Sequence, residues 1–395
     1  MSDNGEERAT LQQVLGEWFS TRLGGIVVPL AATVLAFLIG GIAVAATGNN
    51  PASAYQAIFE GTGFNWFFPW IDGDTRAEAA RDLQQTLLVA TPLMLTAIAV
   101  AFAFRAGLFN IGGQGQLWAG VIISIYVGTH LEGTPRVLHI FLALGAATLA
   151  GVLWGGIAGI LKATTGAHEV ISTIMLNWIA IFGGKYLFEI GGPWQGVQES
   201  IPSSAKIFDS AKLWPIWGNI QALHSGLFIA LFCLVIYFLL LNRTTLGYQI
   251  RAVGFNPEAS RYSGISVNRS YFYAMGIAGG FAGLAGGLEI TGWRFGTDVS
   301  NFDTNFVGFT GIAVALLGRN RAVGILFAAL LFGALEVGTS SRQLDPSVFE
   351  PELASNLSTI IQALVIFFVG AELLIVYLWR ARRFVLPGRR SETAS

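Results

Sequence analysis

Apolar runs recur along almost the whole chain, each close to the length a bilayer demands. A hydrocarbon core needs about 20 apolar residues in helical form. The runs at 25–46, 87–104, 112–129, 137–161, 170–190, 224–241, 270–290, 305–318, 322–338 and 357–379 approach that length. The pattern predicts an all-α integral membrane protein of about ten transmembrane helices. The runs at 87–104, 112–129 and 305–318 are short or interrupted by glycine, which points to broken helices. Two polar stretches stand out between the runs. Residues 51–86 hold the aromatic cluster FNWFFPW (64–70) and then a charged helical pattern, DTRAEAARDLQQ. Aromatics of this kind suit the headgroup level, and solute binding is their other reading. Residues 243–269 are far more polar than their flanks.

Composition agrees with the pattern. Apolar residues make up 53% and charged residues 12%, against roughly 25% charged in a soluble protein. Mean hydropathy is +0.59. A soluble surface cannot be covered from this composition, whereas a lipid-facing one can. The net charge of -1 provides no field to gather nucleic acid. The single cysteine, Cys233, allows no intrachain disulfide. The 49 glycines are spread through the apolar runs, where small residues let helix backbones approach in lipid. The first twenty residues are polar and acidic, so the first apolar run reads as a retained helix and not a cleavable signal.

Basic residues set the orientation. With a cytoplasmic N-terminus and ten crossings, 15 of the 23 Lys and Arg fall on the inside, including Arg8, Arg105, Lys162, Arg251, Arg319 and the cluster from Arg380 to Arg390. The outside connections hold most of the acids, among them Asp72, Asp82, Asp298, Asp303, Asp345 and Glu350. Both termini are therefore expected in the cytoplasm. The expected organisation is an N-terminal segment (1–24), a transmembrane domain (25–379) and a basic tail (380–395).

In the inside loop RTTLGYQIRAVGFNPEASRYSGISVNR (243–269), Asn256-Pro257 is a turn-and-cap signal. It predicts a short helix from Pro257 to about Tyr262, ended at Gly264. On physical grounds alone this is either an ordinary loop or a surface for another protein. The stretch GYQIRAVGFNPEASRYSGI resembles the coupling segment of ABC-importer permease subunits. The matching positions are Gly247, Arg251, Gly254, Asn256, Pro257, Ala259, Ser260, Gly264 and Ile265, with Ser260 standing where family members often have Ala. FRAGLFNIGGQGQ (104–116) resembles the glycine-rich break of permeases for nucleosides and simple sugars. EVISTIMLN (169–177) resembles the following helix, and GFTGIAVALLGRN (308–320) a late helix and turn. The four matches run in order through most of the membrane core.

The resemblance is closest to nucleoside import permeases. It implies a multi-pass subunit in a bacterial cytoplasmic membrane, whose coupling loop docks on a separate ABC ATPase subunit. It also implies a second permease chain, related but not identical, and an extracytoplasmic solute-binding protein. Purine or pyrimidine nucleosides, ribose-type sugars and branched-chain amino acids remain open as solutes.

Polar groups inside lipid are costly unless they face protein or a water-filled path. Three sets are candidates for a substrate pathway. Asn110, Gln114 and Gln116 lie in NIGGQGQ, where Gly112, Gly113 and Gly115 disfavour a continuous helix. The segment reads either as an inside turn or as a broken helix beside a solute path. Glu169, Thr173 and Asn177 share one helix face, with Ser172 beside it. They suit hydroxyl-rich or nucleobase solutes, or helix–helix hydrogen bonds. Glu289, Trp293 and Arg294 end the run 270–290, followed by Asp298 and Asp303. They read as an outer-surface loop or as an aromatic face for a base or sugar. The glycines at 276, 279, 280, 283, 286 and 287 read as a packing face.

No catalytic or metal constellation is apparent. Gly183-Gly184-Lys185 lacks the rest of a phosphate-binding loop. His130, His139, His168 and His224 are scattered without metal spacing. The chain is expected not to be an enzyme and to need no cofactor. An ion-coupled secondary transporter is the rival class, and it would need acids buried within its helices.

Overall fold

The computed structural model describes residues 11–196, 200–218, 223–340 and 351–370. The basic tail, residues 1–10 and the outer acids Asp345 and Glu350 lie outside the described residues. The described chain is mostly helical. Its helices are α1 (Leu11–Ala46), α2 (Pro51–Gly61), α3 (Gly73–Phe104), α4 (Gly113–His130), α5 (Arg136–Thr165), α6 (Glu169–Phe188), α7 (Gly226–Arg243), α8 (Thr245–Phe255), α9 (Pro257–Tyr262), α10 (Val267–Glu289), α11 (Asn301–Thr304), α12 (Val307–Leu317), α13 (Ala322–Gly338) and α14 (Pro351–Gly370). Six are long and apolar enough to cross a membrane, namely α1, α3, α5, α6, α7 and α10 with its extension to Arg294. The chain divides into two compact units, one of residues 52–355 and one of residues 1–51 and 356–395. The larger unit carries all the candidate positions.

At its centre are α3 and α10, buried over 83% and 89% of their apolar windows. α5, α6 and α7 are buried over only 28–33%. They turn Phe141, Leu153, Phe182, Tyr186, Phe228 and Phe232 outward. A helix apolar on all sides is either core or lipid-facing, and these two groups divide along that line. α10 packs on α5, α4 and α3. The contact is made by paired glycines. A Cβ on Gly279 would collide with the Gly151 carbonyl, one on Gly120 with Gly283, and one on Gly155 with the Met275 carbonyl. Backbones approach this closely only where side chains are missing.

Several expected spans change shape. Residues 87–104 are the last half of the 32-residue α3, which begins in the charged stretch at Gly73. Pro92 sits inside α3, and Thr96 Oγ1 donates back to its carbonyl at 3.1 Å. The run 305–318 resolves into the 11-residue α12, about 16 Å long and too short to cross alone. The run at 112–129 starts as helix at Gly113, and the run at 224–241 at Gly226. Of 357–379, residues through Gly370 are described, and they are helical.

The segment between α6 and α7 contains a small hairpin, β1 (Pro215–Trp217) and β2 (Leu223–His224). It lies along the C-terminal ends of α4 and α10. Phe208 N donates to Gly128 O, Leu213 N to Thr291 O and Ile207 N to Phe295 O.

Candidate functional site

Two interruptions of the helical core meet in the larger unit. The first lies between α3 and α4, where the chain leaves helical form after Phe104 and resumes it at Gly113. The second is the link between α11 and α12 at Asn305 and Phe306. Breaking a helix frees backbone N–H and C=O groups, which must find partners where no water is available. Amide side chains provide those partners here. Gln114 Nε2 donates to Asn305 O (2.5 Å) and Gln114 Oε1 accepts from Gly308 N (2.8 Å). Asn177 Oδ1 accepts from Gly115 N (2.7 Å) and its Nδ2 donates to Ile111 O (3.0 Å). Asn110 and Gln116 face each other amide to amide, at 3.0 and 3.1 Å. Asn110 Oδ1 also accepts from Gly112 N. All four amide side chains are buried.

Asn177 lies eight residues beyond the first residue of α6, about 12 Å along its axis. The NIGGQGQ segment therefore lies beside the middle of α6, not at its end. The segment packs against α6 through Thr173 and Asn177 and against the start of α12 through Gln114.

The α6 set divides. Thr173 is buried and donates to Glu169 O (2.8 Å), close against Gly112. Ser172 is half-buried and donates to His168 O. Glu169, the first residue of α6, is ion-paired with Lys162 at the end of α5 (2.7 Å). It staples two helix ends and stands apart from the amide network.

The third set divides too. Glu289 is only 2% exposed, so the outer-surface loop reading fails for it. Its Oε2 accepts from Asn305 Nδ2 at 2.9 Å, with Arg294 Nε 3.4 Å away. Asn305 thus joins Glu289 to Gln114. The α10 helix continues past Glu289 as a π-helical turn, Ile290–Arg294, which places Arg294 over the Trp293 ring at 4.6 Å. Asp298 is exposed, and Asp303 pairs with Lys185 (2.6 Å).

The polar loop 243–269 holds two helices, not one. Asn256 caps α9 as its sequence suggests, with Oδ1 accepting from Ala259 N (3.0 Å) and Pro257 in the first turn. Gly264 ends it at φ +80, and Ile265 N returns to Ser260 O. Upstream, Thr244 caps α8 by accepting from Gly247 N (3.0 Å). Arg251 Nε reaches back to Gly247 O within α8. Gly247 sits against the end of α7, where a Cβ would strike Leu240 O. Gly254 sits against the α3–α4 break, where a Cβ would strike Arg105 O, and Gly107, at φ +74, faces it. Phe255 and Tyr262 are 91% and 94% exposed. Sequence reasoning did not single out these two bare aromatics on otherwise polar helices.

A cavity of about 1550 Å³ opens between α2, the Phe64–Phe67 turn, the first half of α3 and the end of α13. Asn65, Phe68, Trp70, Gln85, Trp293 and Glu336 are among its lining. Of the residues singled out as pathway candidates, only Trp293 lines it. Among the described residues no group of His, Cys, Asp and Glu could hold a metal ion.

Comparison with known proteins places the chain. Residues 83–370 match the family described as "Branched-chain amino acid transport system / permease component". The chain is 39% identical to the guanosine ABC transporter permease protein NupP of Bacillus subtilis over 354 residues, covering 89% of this chain and 94% of that one. It is 35% identical to the nucleoside ABC transporter permease protein NupB of Lactococcus lactis (89% and 92% covered). It is 34% identical to the glucose ABC transporter permease protein TsgB13 of Haloferax volcanii (86% and 86%). No solved structure matches. The apolar helices, the amide-lined break and these similarities converge, and the chain belongs to the branched-chain amino acid transport permease family, as a multi-pass ABC-transporter permease subunit and not an enzyme.

Proposed function

We propose that this permease carries nucleosides inward across a bacterial cytoplasmic membrane, with ten crossings and both termini inside. Its partners would be a separate ABC ATPase, a second permease chain related but not identical, and an extracytoplasmic solute-binding protein. The names of two relatives, for guanosine and for nucleosides, support the solute class. The glucose relative keeps simple sugars as the second reading. The family description retains branched-chain amino acids as a remoter one.

The observation that carries the reading is the contact of Gly254 with Arg105 and Gly107. The polar helices α8 and α9 rest directly on the break whose far side holds Gln114, Asn177 and Asn305. ATP binding on a partner would push on Phe255 and Tyr262, and the push would pass through Gly254 to residues 105–116. Gly247, Arg251, Asn256, Pro257, Ala259, Gly264 and Ile265 shape the pushing element. Asn110, Gln114, Gln116, Thr173 and Asn177, with Glu289, form the element that yields. Ser172 and Trp293 flank it.

Replacing Gly254 and Asn256 together should cut guanosine uptake and solute-stimulated ATP hydrolysis in reconstituted complex at least about tenfold. Guanosine binding to the capture protein should be unchanged. Wild-type uptake by that variant overturns the coupling role. Inhibition of uptake by glucose but not by guanosine or uridine overturns the solute.

A further inference from the structure

We propose that the cavity between α2, α3 and the end of α13 is an extracytoplasmic receiving site in which a nucleoside rests, base against aromatic rings and ribose toward Glu336. This rests on the nucleoside reading above and adds where the solute is held. Solute binding was the second reading of the 64–70 aromatics in the sequence, and no resemblance pointed to α2 or α13.

Four features point to it. The volume, about 1550 Å³, exceeds the roughly 300–1,000 Å³ of ordinary small-molecule pockets, so a nucleoside fits with part of its water. Its walls carry the two kinds of group a nucleoside needs. Phe68 and Trp70 stack on each other at 4.6 Å, and Trp70 remains 71% exposed, so ring surface is left for a base. Base–aromatic stacking is worth about 1–3 kcal/mol per base and tolerates any base. Glu336 is the single charged residue of α13. Its side chain is exposed, and the surface it is exposed to is this cavity. A carboxylate there can accept from two ribose hydroxyls.

The cavity also has a connection. Trp293 lines it and sits in the π-helical turn, a distortion frequent at functional sites. The next residue, Arg294, lies beside Glu289, which Asn305 joins to Gln114. A solute seated here is thus one shell of side chains away from the interrupted helices that the ATPase would move.

The test uses the reconstituted permease–ATPase complex carrying Val89→Cys on the cavity wall. Cys233 is buried and is replaced by Ala to remove background. Guanosine should slow labelling of the new thiol by a membrane-impermeant reagent about tenfold, and free ribose much less. Trp293→Ala should abolish that protection and raise the KM for guanosine uptake about tenfold, with Glu336→Gln acting in the same direction. Unchanged labelling in guanosine, in a complex that transports guanosine, overturns the site and leaves the function standing. Blocking by solute-free capture protein, with no effect of guanosine, identifies a docking face and overturns it as well. A wild-type complex that imports sugars and no nucleoside sinks the nucleoside reading itself, and the base-stacking site falls with it.

Discussion

At the scale of single residues, the partners of the buried polar groups decide what each can do. His224 shows the cost of burial without an ionic partner. It closes the hairpin ahead of α7, its Nδ1 accepts from Gly226 N at 3.1 Å, and Gly292 leaves room for its ring. Burial pushes its imidazole down to about 4 from 6.5. The unfolded chain therefore takes up a proton below about pH 6.5 that the folded chain refuses until about pH 4. Folded stability should drop as pH falls through that window, by about 3 kcal/mol in full. Thermal unfolding of the purified permease between pH 7 and 4 should show the slope, and His224→Asn should flatten it. A slope unchanged by the substitution would assign it to other groups. Gln114 and Asn177 make a different point. Each bonds backbone groups of a broken segment, so their amides are structural in this conformation and become available to solute only if the break opens.

At the scale of elements, the α5–α10 contact holds the core together. Its glycines are there for proximity, because a methyl group on Gly279 would lie on the Gly151 carbonyl. Overpacking a close-packed contact costs typically 1–3 kcal/mol. Gly279→Ala should therefore lower the melting temperature of the detergent-solubilised protein and its yield in the membrane. Gly145, in the same α5 with nothing near its Cβ position, is the control. There alanine should be neutral or stabilise by about 0.5–1 kcal/mol. Equal losses at both positions would mean that helix propensity, and not the interhelical distance, sets the tolerance. The glycine-to-alanine contrast can be read by a simple thermal-stability assay in mild detergent.

At the scale of the whole larger unit, one chain of contacts runs from the aromatic-lined cavity to the exposed α8–α9 pair. Its steps are Trp293 and Arg294, Glu289, Asn305, Gln114, the break at 105–112, and Gly254. Gln114 is the step where two separate interruptions are tied to each other. Gln114→Leu removes both ties and leaves Asn305 O and Gly308 N without those partners. A buried backbone group left unpaired costs about 1–3 kcal/mol. The variant should keep ATP hydrolysis and lose most solute uptake, an uncoupled phenotype measured as transported solute per ATP. Uptake and hydrolysis falling together in proportion would place Gln114 outside the coupling route.

How much of this could be read in advance depends on the range of the interaction. Apolar runs of bilayer length, the Asn256-Pro257 cap and the Gly264 stop are local, and local steric and hydrogen-bond rules suffice for them. The glycine face of α10 was legible too, because a spacing of four residues is itself a local pattern. The partners of that face were not, nor was the depth of NIGGQGQ, since a turn and a mid-core break share one local sequence. Its partners Asn177 and Asn305 lie 61 or more residues from the nearest glutamine of that segment, beyond the reach of any local pattern. Glu289 looked like the end of a helix in an outer loop, and folding buries it by bringing Asn305 and Arg294 around it. The cavity was illegible for the same reason, being assembled from α2, α3, the π-helical turn and α13. Periodicity reports what a helix has on its surface, whereas packing decides which part of that surface meets lipid, protein or solute.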